Sequence, residues 1–314
     1  MYVLGIDTSN YTTSTALINE NKEVLQSKKL LPVKEGEVGL RQSDAVFHHT
    51  QRLYALYEDL VRDVDTSEIK AVGVSSRPRP VDGSYMPCFT VGVNAARIIA
   101  ATLKVPLYTF SHQEGHIAAA ILSAERDELF ENKFIAFHVS GGTTEAVLAE
   151  PLDGGFKLNK IAATLDLNAG QAIDRVGVML GLNFPCGKEL EKLALKYDGQ
   201  VKVKPALKGF DCCLSGLENQ CRKMYDNNSS KENIAYYCLK YIEASLKAVT
   251  DKLLLEYGDL PLIYAGGVMS NSIIRKTFES EYNAHFAEPE FSCDNAAGTA
   301  YLTLRKATDV YTKL

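Results

Sequence analysis

The chain has 314 residues, of which 46% are hydrophobic and 23% charged, and its formal net charge is −5 at pH 7. This is the composition of a globular protein with two domains or lobes. The acidic balance excludes a general basic surface for nucleic acid, so RNA would need a local patch or a partner protein. No apolar run reaches the roughly 20 residues of a membrane span. Seven cysteines without a C-x-x-C pair favour a reducing compartment, the cytoplasm.

The first predicted elements form a hairpin around a polar turn. Apolar runs at residues 2–6 and 14–18 predict two short strands, and DTSNYTT (residues 7–13) lies between them. This turn offers a carboxylate, hydroxyls and backbone N–H groups, which suit a phosphate and an accompanying Mg²⁺ ion. A plain polar hairpin is the alternative interpretation of the same stretch.

A helix that carries two histidines is predicted next. Ser111 and Glu114 have the spacing of a capping box, so the helix should begin at His112. His112 and His116 lie four residues apart and therefore on one helix face, where both imidazoles can bind one ion. Two ordinary surface histidines are the alternative. Gln113 occupies the position of the catalytic glutamate of a zinc protease, so proteolysis is disfavoured.

The second half of the chain repeats the pattern of strand, turn and strand. Strands are predicted at residues 134–139 and 145–149, and Gly141 and Gly142 lie in the turn between them. Glycine lets backbone amides contact phosphate oxygens, so this turn is a candidate nucleotide site. The two similar units lie about 130 residues apart and predict an internally duplicated fold with a nucleotide between its halves.

A third glycine turn follows a predicted strand at residues 262–264. It contains Gly266 and Gly267, and Asn271 lies at the predicted start of a helix, where its side chain can cap the helix or face a ligand. Strands that alternate with helices predict an α/β fold. The longer helices are predicted at residues 45–64, 91–103, 170–180, 233–257 and 294–307.

Eight segments, in order along nearly the whole chain, resemble the Kae1/TsaD family, formerly called glycoprotease. They are residues 4–9 (LGIDTS), 112–116 (HQEGH), 139–143 (VSGGT), 169–175 (AGQAIDR), 185–190 (PCGKEL), 214–217 (LSGL), 265–268 (AGGV) with Asn271, and 293–297 (CDNAA).

The resemblance implies a duplicated actin/hexokinase/Hsp70-like ATPase (ASKHA) fold, with two lobes around a nucleotide cleft. We expect residues 1–130 to form the N-terminal lobe, with a C-terminal helix at 294–314 packing back on it, and residues 131–293 to form the C-terminal lobe. The family transfers a threonylcarbamoyl group from threonylcarbamoyl-AMP to N6 of adenosine 37 of tRNA (t6A synthesis). The resemblance therefore predicts a cytoplasmic acyltransferase that works with partner subunits, and not at a membrane.

The resemblance also implies the site residues. A divalent metal, Fe²⁺ or Zn²⁺, is expected on His112, His116 and Asp294, and two imidazoles with one carboxylate leave coordination positions open for a substrate. We predict Asp7, His112 and His116 as catalytic residues. The adenine nucleotide is expected to contact His138, Val139, Ser140, Gly141, Gly142, Asp174, Gly187 and Asn271.

The chain departs from the family at several positions. The family's first turn carries two later acids, but Tyr11 and Thr12 stand at those positions here. The sequence RPRP at residues 77–80 replaces the family's Arg-Gly-Pro-Gly turn. Thr143 replaces a histidine of the family's second turn, and Glu218 replaces a lysine. Three functions therefore compete: the tRNA modification itself, a divergent paralogue that carbamoylates or threonylcarbamoylates another acceptor, and a non-catalytic nucleotide-binding partner subunit.

Overall fold

The computed structural model describes residues 1–9, 11–32, 40–292 and 294–311. The α-helices within these ranges are α1 (Gln42–Val61), α2 (Phe89–Leu103), α3 (His112–Ser123), α4 (Ala169–Met179), α5 (Gly187–Ala194), α6 (Ser215–Asp226), α7 (Lys231–Tyr257), α8 (Ser272–Glu281) and α9 (Ala297–Tyr311). The strands are β1 (Tyr2–Asp7), β2 (Thr12–Asn19), β3 (Val24–Leu30), β4 (Ile69–Arg77), β5 (Leu107–Ser111), β6 (Phe134–Val139), β7 (Thr144–Leu152), β8 (Gly155–Ala163), β9 (Ala206–Lys208), β10 (Asp211–Cys213), β11 (Leu262–Ala265) and β12 (Ala284–Phe286).

The chain divides into two compact units. Unit 1 contains Met1–Asn132, Glu150–Leu158 and Glu290–Leu314, and unit 2 contains Lys133–Ala149 and Asn159–Pro289. The lobe boundaries that we expect from the family resemblance remain a prediction. Among the described residues, no helix combines the length and the apolar character that crossing a membrane requires.

Two five-stranded sheets have the same topology, which is the expected mark of a duplicated fold. The first has the order β3-β2-β1-β4-β5 and the second the order β8-β7-β6-β11-β12. In each sheet the first central strand pairs antiparallel with the hairpin strand that follows it (β1 with β2, β6 with β7) and parallel with a later strand (β4 or β11). The predicted duplicated α/β architecture is therefore confirmed. The sequence pattern did not reveal β3, β4, β5, β8, β12 or the small β9–β10 hairpin as strands.

Helix α9 packs directly on the sheet of unit 1, because glycines in the strands leave room for it. A Cβ atom at Gly5 of β1 would lie 2.5 Å from the Ala300 backbone nitrogen, and one at Gly73 of β4 would lie 1.7 Å from Oγ1 of Thr303. These strand positions therefore cannot carry side chains while the helix is in place. The other face of the sheet buries Leu4 and other apolar residues against α1 and α2.

The start of α9 differs from the prediction. We expected the helix to begin at Asp294, but it begins at Ala297, because the side-chain oxygen of Asn295 accepts the Ala297 N–H at 3.0 Å. Asp294 lies three residues before the helix. Residues 312–314 of the predicted helix, and Asn10 and Cys293 of two quoted motifs, lie outside the described residues.

The core of unit 2 forms between its sheet and a layer of helices. The 27-residue helix α7 contributes the largest set of buried side chains, among them Tyr241 and Leu246, and packs with α4, α5, α6 and α8. Helices α5 and α6 were not predicted, whereas α8 begins where Asn271 indicated, since this residue is its N-cap.

Candidate metal centre and nucleotide-binding turns

The two histidines lie at the start of α3, which the local sequence fixes. Ser111 and Glu114 form the predicted capping box: the Ser111 hydroxyl accepts the Glu114 N–H at 3.2 Å, and the Glu114 carboxylate accepts the Ser111 N–H at 2.7 Å. The helix consequently begins at His112, as expected. The Nε2 atoms of His112 and His116 are 2.9 Å apart, so both imidazoles point at one place.

Asp294 completes this cluster from the far end of the chain. Its Oδ1 atom lies 3.0 Å from Nε2 of His116 and 3.3 Å from Nε2 of His112. The three donor atoms form a triangle with edges of 2.9, 3.0 and 3.3 Å. In a tetrahedral site with metal–ligand bonds of 2.0–2.1 Å, two donor atoms lie about 3.3 Å apart. The triangle therefore has about the size that such a site requires. The residues that the resemblance indicated for a metal are thus brought together in unit 1.

Close contact between α3 and α9 sets the distance between Asp294 and the histidines. A Cβ atom at Gly298 would lie 1.8 Å from the Gly115 carbonyl oxygen and 2.6 Å from the Ala119 nitrogen. The helix backbones therefore touch at Gly298, which is four residues after Asp294. Only glycine permits this approach.

Asp7 lies behind His112, on the side away from the other donors. Its Oδ2 atom is 2.9 Å from Nδ1 of His112 and accepts the Ser75 hydroxyl at 2.7 Å, while its Oδ1 atom accepts the Ser9 N–H at 2.7 Å. The Asp7 side chain is 1% exposed. A carboxylate on Nδ1 directs Nε2 toward an ion, an arrangement common at metal-binding histidines.

The charges of this cluster reinforce one another. Burial acts to lower the pKa of His112, but the carboxylates of Asp7 and Asp294 outweigh burial and raise it to about 10. Burial acts to raise the pKa of Asp294, yet hydrogen bonds to His112 and His116 hold it well below its usual value. The pKa of Asp7 is also lowered, against the effect of its burial, by His112. The carboxylates are therefore ionised and ready to bind a cation.

The residues fit a catalytic metal ion by their chemistry. Two imidazole nitrogens and one carboxylate oxygen are borderline donors that suit Zn²⁺ or Fe²⁺, and three protein ligands leave positions for a substrate. Within the described residues, these three are the only group of His, Cys, Asp and Glu side chains arranged to hold a metal.

The predicted phosphate and Mg²⁺ site in the first turn has a different geometry from the one expected. The side chains of Asp7, Thr8 and Ser9 are all buried. Both oxygens of Asp7 already accept hydrogen bonds, and the Thr8 hydroxyl donates to the Cys88 carbonyl at 3.0 Å. The turn therefore directs its polar groups into unit 1, where they support His112, and a Mg²⁺ ion at this turn is not favoured.

In unit 2, the turn after β6 has the open backbone expected of a phosphate site. Two hydrogen bonds close the turn. The Ser140 N–H donates to the Thr143 carbonyl at 2.7 Å, and the Thr143 N–H donates to Oγ of Ser140 at 3.1 Å. Cβ atoms built at Gly141 and Gly142 would meet no protein atom within 4 Å. The space beside both glycines is therefore available to a ligand.

Helix α4 starts against this turn. The Gly170 N–H donates to the Ser140 carbonyl at 3.1 Å, and a Cβ atom at Gly170 would lie 2.6 Å from the Gly141 nitrogen. On the other side of the turn, Gly266 has a φ of +101° and lies close to Val139. A Cβ atom at Gly266 would lie 2.3 Å from the Val139 carbonyl oxygen. His138, one residue earlier in β6, pairs with Ala265 of β11. Glycines thus bring three segments together around residues 138–142.

The remaining predicted nucleotide contacts continue along the same unit. The half-buried carboxylate of Asp174 accepts the Cys186 N–H at 2.8 Å, and burial raises its pKa. Gly187 begins α5 with open space beside it. The amide oxygen of Asn271 caps α8, accepting the N–H groups of Ile273 and Ile274 at 3.1 and 3.2 Å, so only its amide nitrogen is suited to a ligand.

Sequence reasoning missed the residues that support the metal cluster. Ser75 donates to Asp7 and lies 3.0 Å from Oγ1 of Thr299, and Oγ of Ser9 lies 2.8 Å from Nδ1 of His112. Ser75 and Thr299 are 224 residues apart in sequence, and neither stands in a recognisable local pattern, so only the tertiary structure identifies them.

The chain resembles known proteins both in sequence and in fold. The profile of the family TsaD, tRNA N6-adenosine threonylcarbamoyltransferase, matches residues 23–301. A protein of that name from Thermococcus sibiricus is 28% identical over 97% of this chain and 91% of its own. A "probable bifunctional tRNA threonylcarbamoyladenosine biosynthesis protein" from Methanocaldococcus jannaschii is 27% identical over 97% of this chain and 55% of its own. The fold resembles a ROK family glucokinase from Streptomyces griseus (TM-score 0.55, 12% identity, 97% of this chain and 100% of the other), which shows the ASKHA fold.

Proposed function

This chain belongs to the TsaD family of tRNA N6-adenosine threonylcarbamoyltransferases and is a transferase, and we propose that it carries out the family's reaction through a metal ion on His112, His116 and Asp294. In this reaction the threonylcarbamoyl group of threonylcarbamoyl-AMP is transferred to N6 of adenosine 37 of tRNA. The observation that carries the proposal is the triangle of donor atoms, with edges of 2.9, 3.0 and 3.3 Å, in a chain that matches the family along most of its length.

Asp7 is best understood as a positioning residue for this centre. It touches Nδ1 of His112 and is too deeply buried to reach a substrate itself. By holding the proton on Nδ1, it leaves the Nε2 lone pair available as a ligand. A bound divalent ion supplies Lewis acidity, which favours attack on a carbamoyl carbonyl and departure of a phosphate.

The transfer forms one covalent bond to the carbamoyl carbon and breaks another. The N6 amine of adenosine attacks the carbamoyl carbon and forms a C–N bond, the C–O bond to the phosphate of AMP breaks, and the amine proton is released to solvent. AMP leaves with the electron pair of the broken bond. The chain's part is to orient the donor and to stabilise the negative charge that develops on it.

We assign the adenylate to the open turn of unit 2. Cβ positions at Gly141 and Gly142 have no protein atom within 4 Å, and the start of α4 abuts the same turn. An open glycine turn beside a helix N-terminus favours the phosphate. Asp174 is assigned to the ribose hydroxyls, since a carboxylate accepts two hydroxyl donors well.

We also propose that the protein works with partner subunits in the cytoplasm. The net charge of −5 offers little general attraction for tRNA. The relative from M. jannaschii carries the word bifunctional in its name, and this chain spans 55% of its length, which supports a second activity contributed by another segment or protein.

The experiment is a direct assay of the modification. The metal-loaded chain is incubated with threonylcarbamoyl-AMP and unmodified tRNA, and the digested nucleosides are analysed by mass spectrometry. We expect t6A from the wild-type chain and none from the His116→Ala variant. Hydrolysis of the donor without any t6A, at tRNA concentrations that saturate binding, would contradict the proposed acceptor.

A further inference from the structure

Unit 2 carries a concentrated basic segment within an acidic chain. Residues 188–208 contain six lysines, Lys188, Lys192, Lys196, Lys202, Lys204 and Lys208, against three acids, Glu189, Glu191 and Asp198. We call these six residues the lysine strip. All six side chains are exposed, and none of them forms an ion pair within the part of the chain that the structure describes.

The local structure holds these lysines outward. In α5, Lys188 and Lys192 lie four residues apart on one face, while Leu190 and Ala194 on the other face are fully buried. In the extended segment that follows, Lys202 and Lys204 flank Val203, which packs against the core of unit 2. Alternation along an extended chain therefore puts the lysines on the solvent side.

Both parts of the lysine strip lie on elements that pack against the same helix, α7. The ring of Tyr197, next to Lys196, packs at 5.5 Å from the ring of Tyr236 in α7. Helix α5, which carries Lys188 and Lys192, and strand β9, which ends at Lys208, also pack against α7. One helix of unit 2 therefore supports the strip along its length.

The positive charges outnumber the acids in this segment by six to three, and one of the acids is turned away. Glu191 faces α8, where its Oε1 atom accepts the Ser272 N–H at 2.7 Å and the Ser272 hydroxyl at 2.5 Å. The strip also begins directly after Gly187, one of the residues assigned to the nucleotide. Positive charge thus adjoins the predicted donor site.

We propose that the lysine strip binds the phosphate backbone of the tRNA substrate. This inference rests on the proposed function and adds to it the protein surface that holds the acceptor. Lysine is suited to the role because its flexible, mobile point charge can follow a phosphate chain without a fixed geometry. The surface resolves how a chain with a net charge of −5 can attract RNA, since attraction depends on the local potential.

The test compares two triple variants with equal changes in charge. In the first, Lys192, Lys202 and Lys204 are replaced by Gln. In the control, Lys29, Lys160 and Lys276 are replaced by Gln; these lysines are also exposed but lie outside the strip. Binding of a fluorescently labelled, unmodified tRNA transcript is measured by anisotropy at several salt concentrations, and circular dichroism melting checks the fold of each variant.

For the strip variant we expect about tenfold weaker tRNA binding. The slope of the logarithm of the association constant against the logarithm of the salt concentration should also be shallower by about 2, because three phosphate contacts are lost. The control should bind like the wild type. The inference would be overturned if the wild-type chain showed no measurable tRNA binding, or if both variants lost the same affinity for tRNA. Equal losses would show that the net charge of the chain, and not the strip, governs tRNA binding. If the strip variant binds tRNA as the wild type does and the wild-type chain still forms t6A, only this inference fails. If the strip variant binds tRNA more weakly, as expected, but the wild-type chain forms no t6A, the proposed function fails.

Discussion

The Nδ1 atom of His112 lies 2.9 Å from Oδ2 of Asp7, although 105 residues separate them in sequence. This pairing sets the orientation of the imidazole ring and turns Nε2 toward His116 and Asp294. The end of strand β1 thereby acts on the candidate metal centre through a single hydrogen bond, without contacting the ion position itself.

The Asp7→Asn variant tests this positioning role. The amide keeps the size of the side chain but removes the charge that orients His112, so we expect metal affinity to fall by about 10–100-fold. Affinity is measured by competition with a coloured chelator, and the exposed Asp82→Asn variant is the control. Unchanged affinity in Asp7→Asn would show that the pairing is irrelevant to metal binding.

The pKa of His112 leads to a prediction about protons. In the metal-free protein His112 is protonated at pH 7.5, because its pKa is raised to about 10, and a metal binds only the neutral imidazole. Metal binding should therefore release about one proton from His112, and affinity should rise about tenfold per pH unit below pH 10. Calorimetry in two buffers with different ionisation enthalpies measures the proton number. A value near zero at pH 7.5 would contradict the assignment of the charge to His112.

Gly298 is predicted to be indispensable to the arrangement of α3 and α9. A methyl group there would lie 1.8 Å from the Gly115 carbonyl oxygen, so Gly298→Ala should lower the free energy of unfolding by about 3 kcal/mol and weaken metal binding through displacement of Asp294. Gly216→Ala is the matched control, since its Cβ would meet no atom within 4 Å, and its stability should change by no more than about 1 kcal/mol. Equal stabilities of the two variants in chemical denaturation would refute the close contact.

Local sequence was enough to predict some parts of the site. The capping box of Ser111 and Glu114 fixes the start of α3, and the spacing of His112 and His116 fixes their common face. These features involve residues within one or two helical turns, where propensity and spacing decide the conformation. For the same reason the cap at Asn271 was correctly anticipated.

Other parts of the site depend on contacts between distant segments. Asp294 was assigned by family resemblance, and its true place before α9 depends on a cap at Asn295. Asp7 was expected in a turn that binds a phosphate, but its carboxylate is buried and accepts a hydrogen bond from Ser75 of the neighbouring strand β4. Hydrophobic pattern alone could not predict this, because it does not specify which strand ends meet.

Asp174 gives a prediction for the nucleotide. Asp174→Ala should weaken binding of an adenine nucleotide by about 1–3 kcal/mol, because a charged hydrogen-bond partner is lost. Asp174→Asn keeps an acceptor for the Cys186 N–H and should preserve the turn before Gly187, so its loss of affinity isolates the carboxylate's contact with the ligand. Both affinities are measured by calorimetry. Wild-type affinity in both variants would remove Asp174 from the nucleotide site.

The central claim, a metal ion held by His112, His116 and Asp294, is tested most directly by the metal content of purified protein after loading with Fe²⁺ or Zn²⁺ and removal of excess ions. Elemental analysis should find one ion per wild-type chain and per Asp82→Asn control chain. It should find almost none in His116→Ala or Asp294→Asn, with circular dichroism spectra like that of the wild type. Full occupancy in both ligand variants would contradict the account.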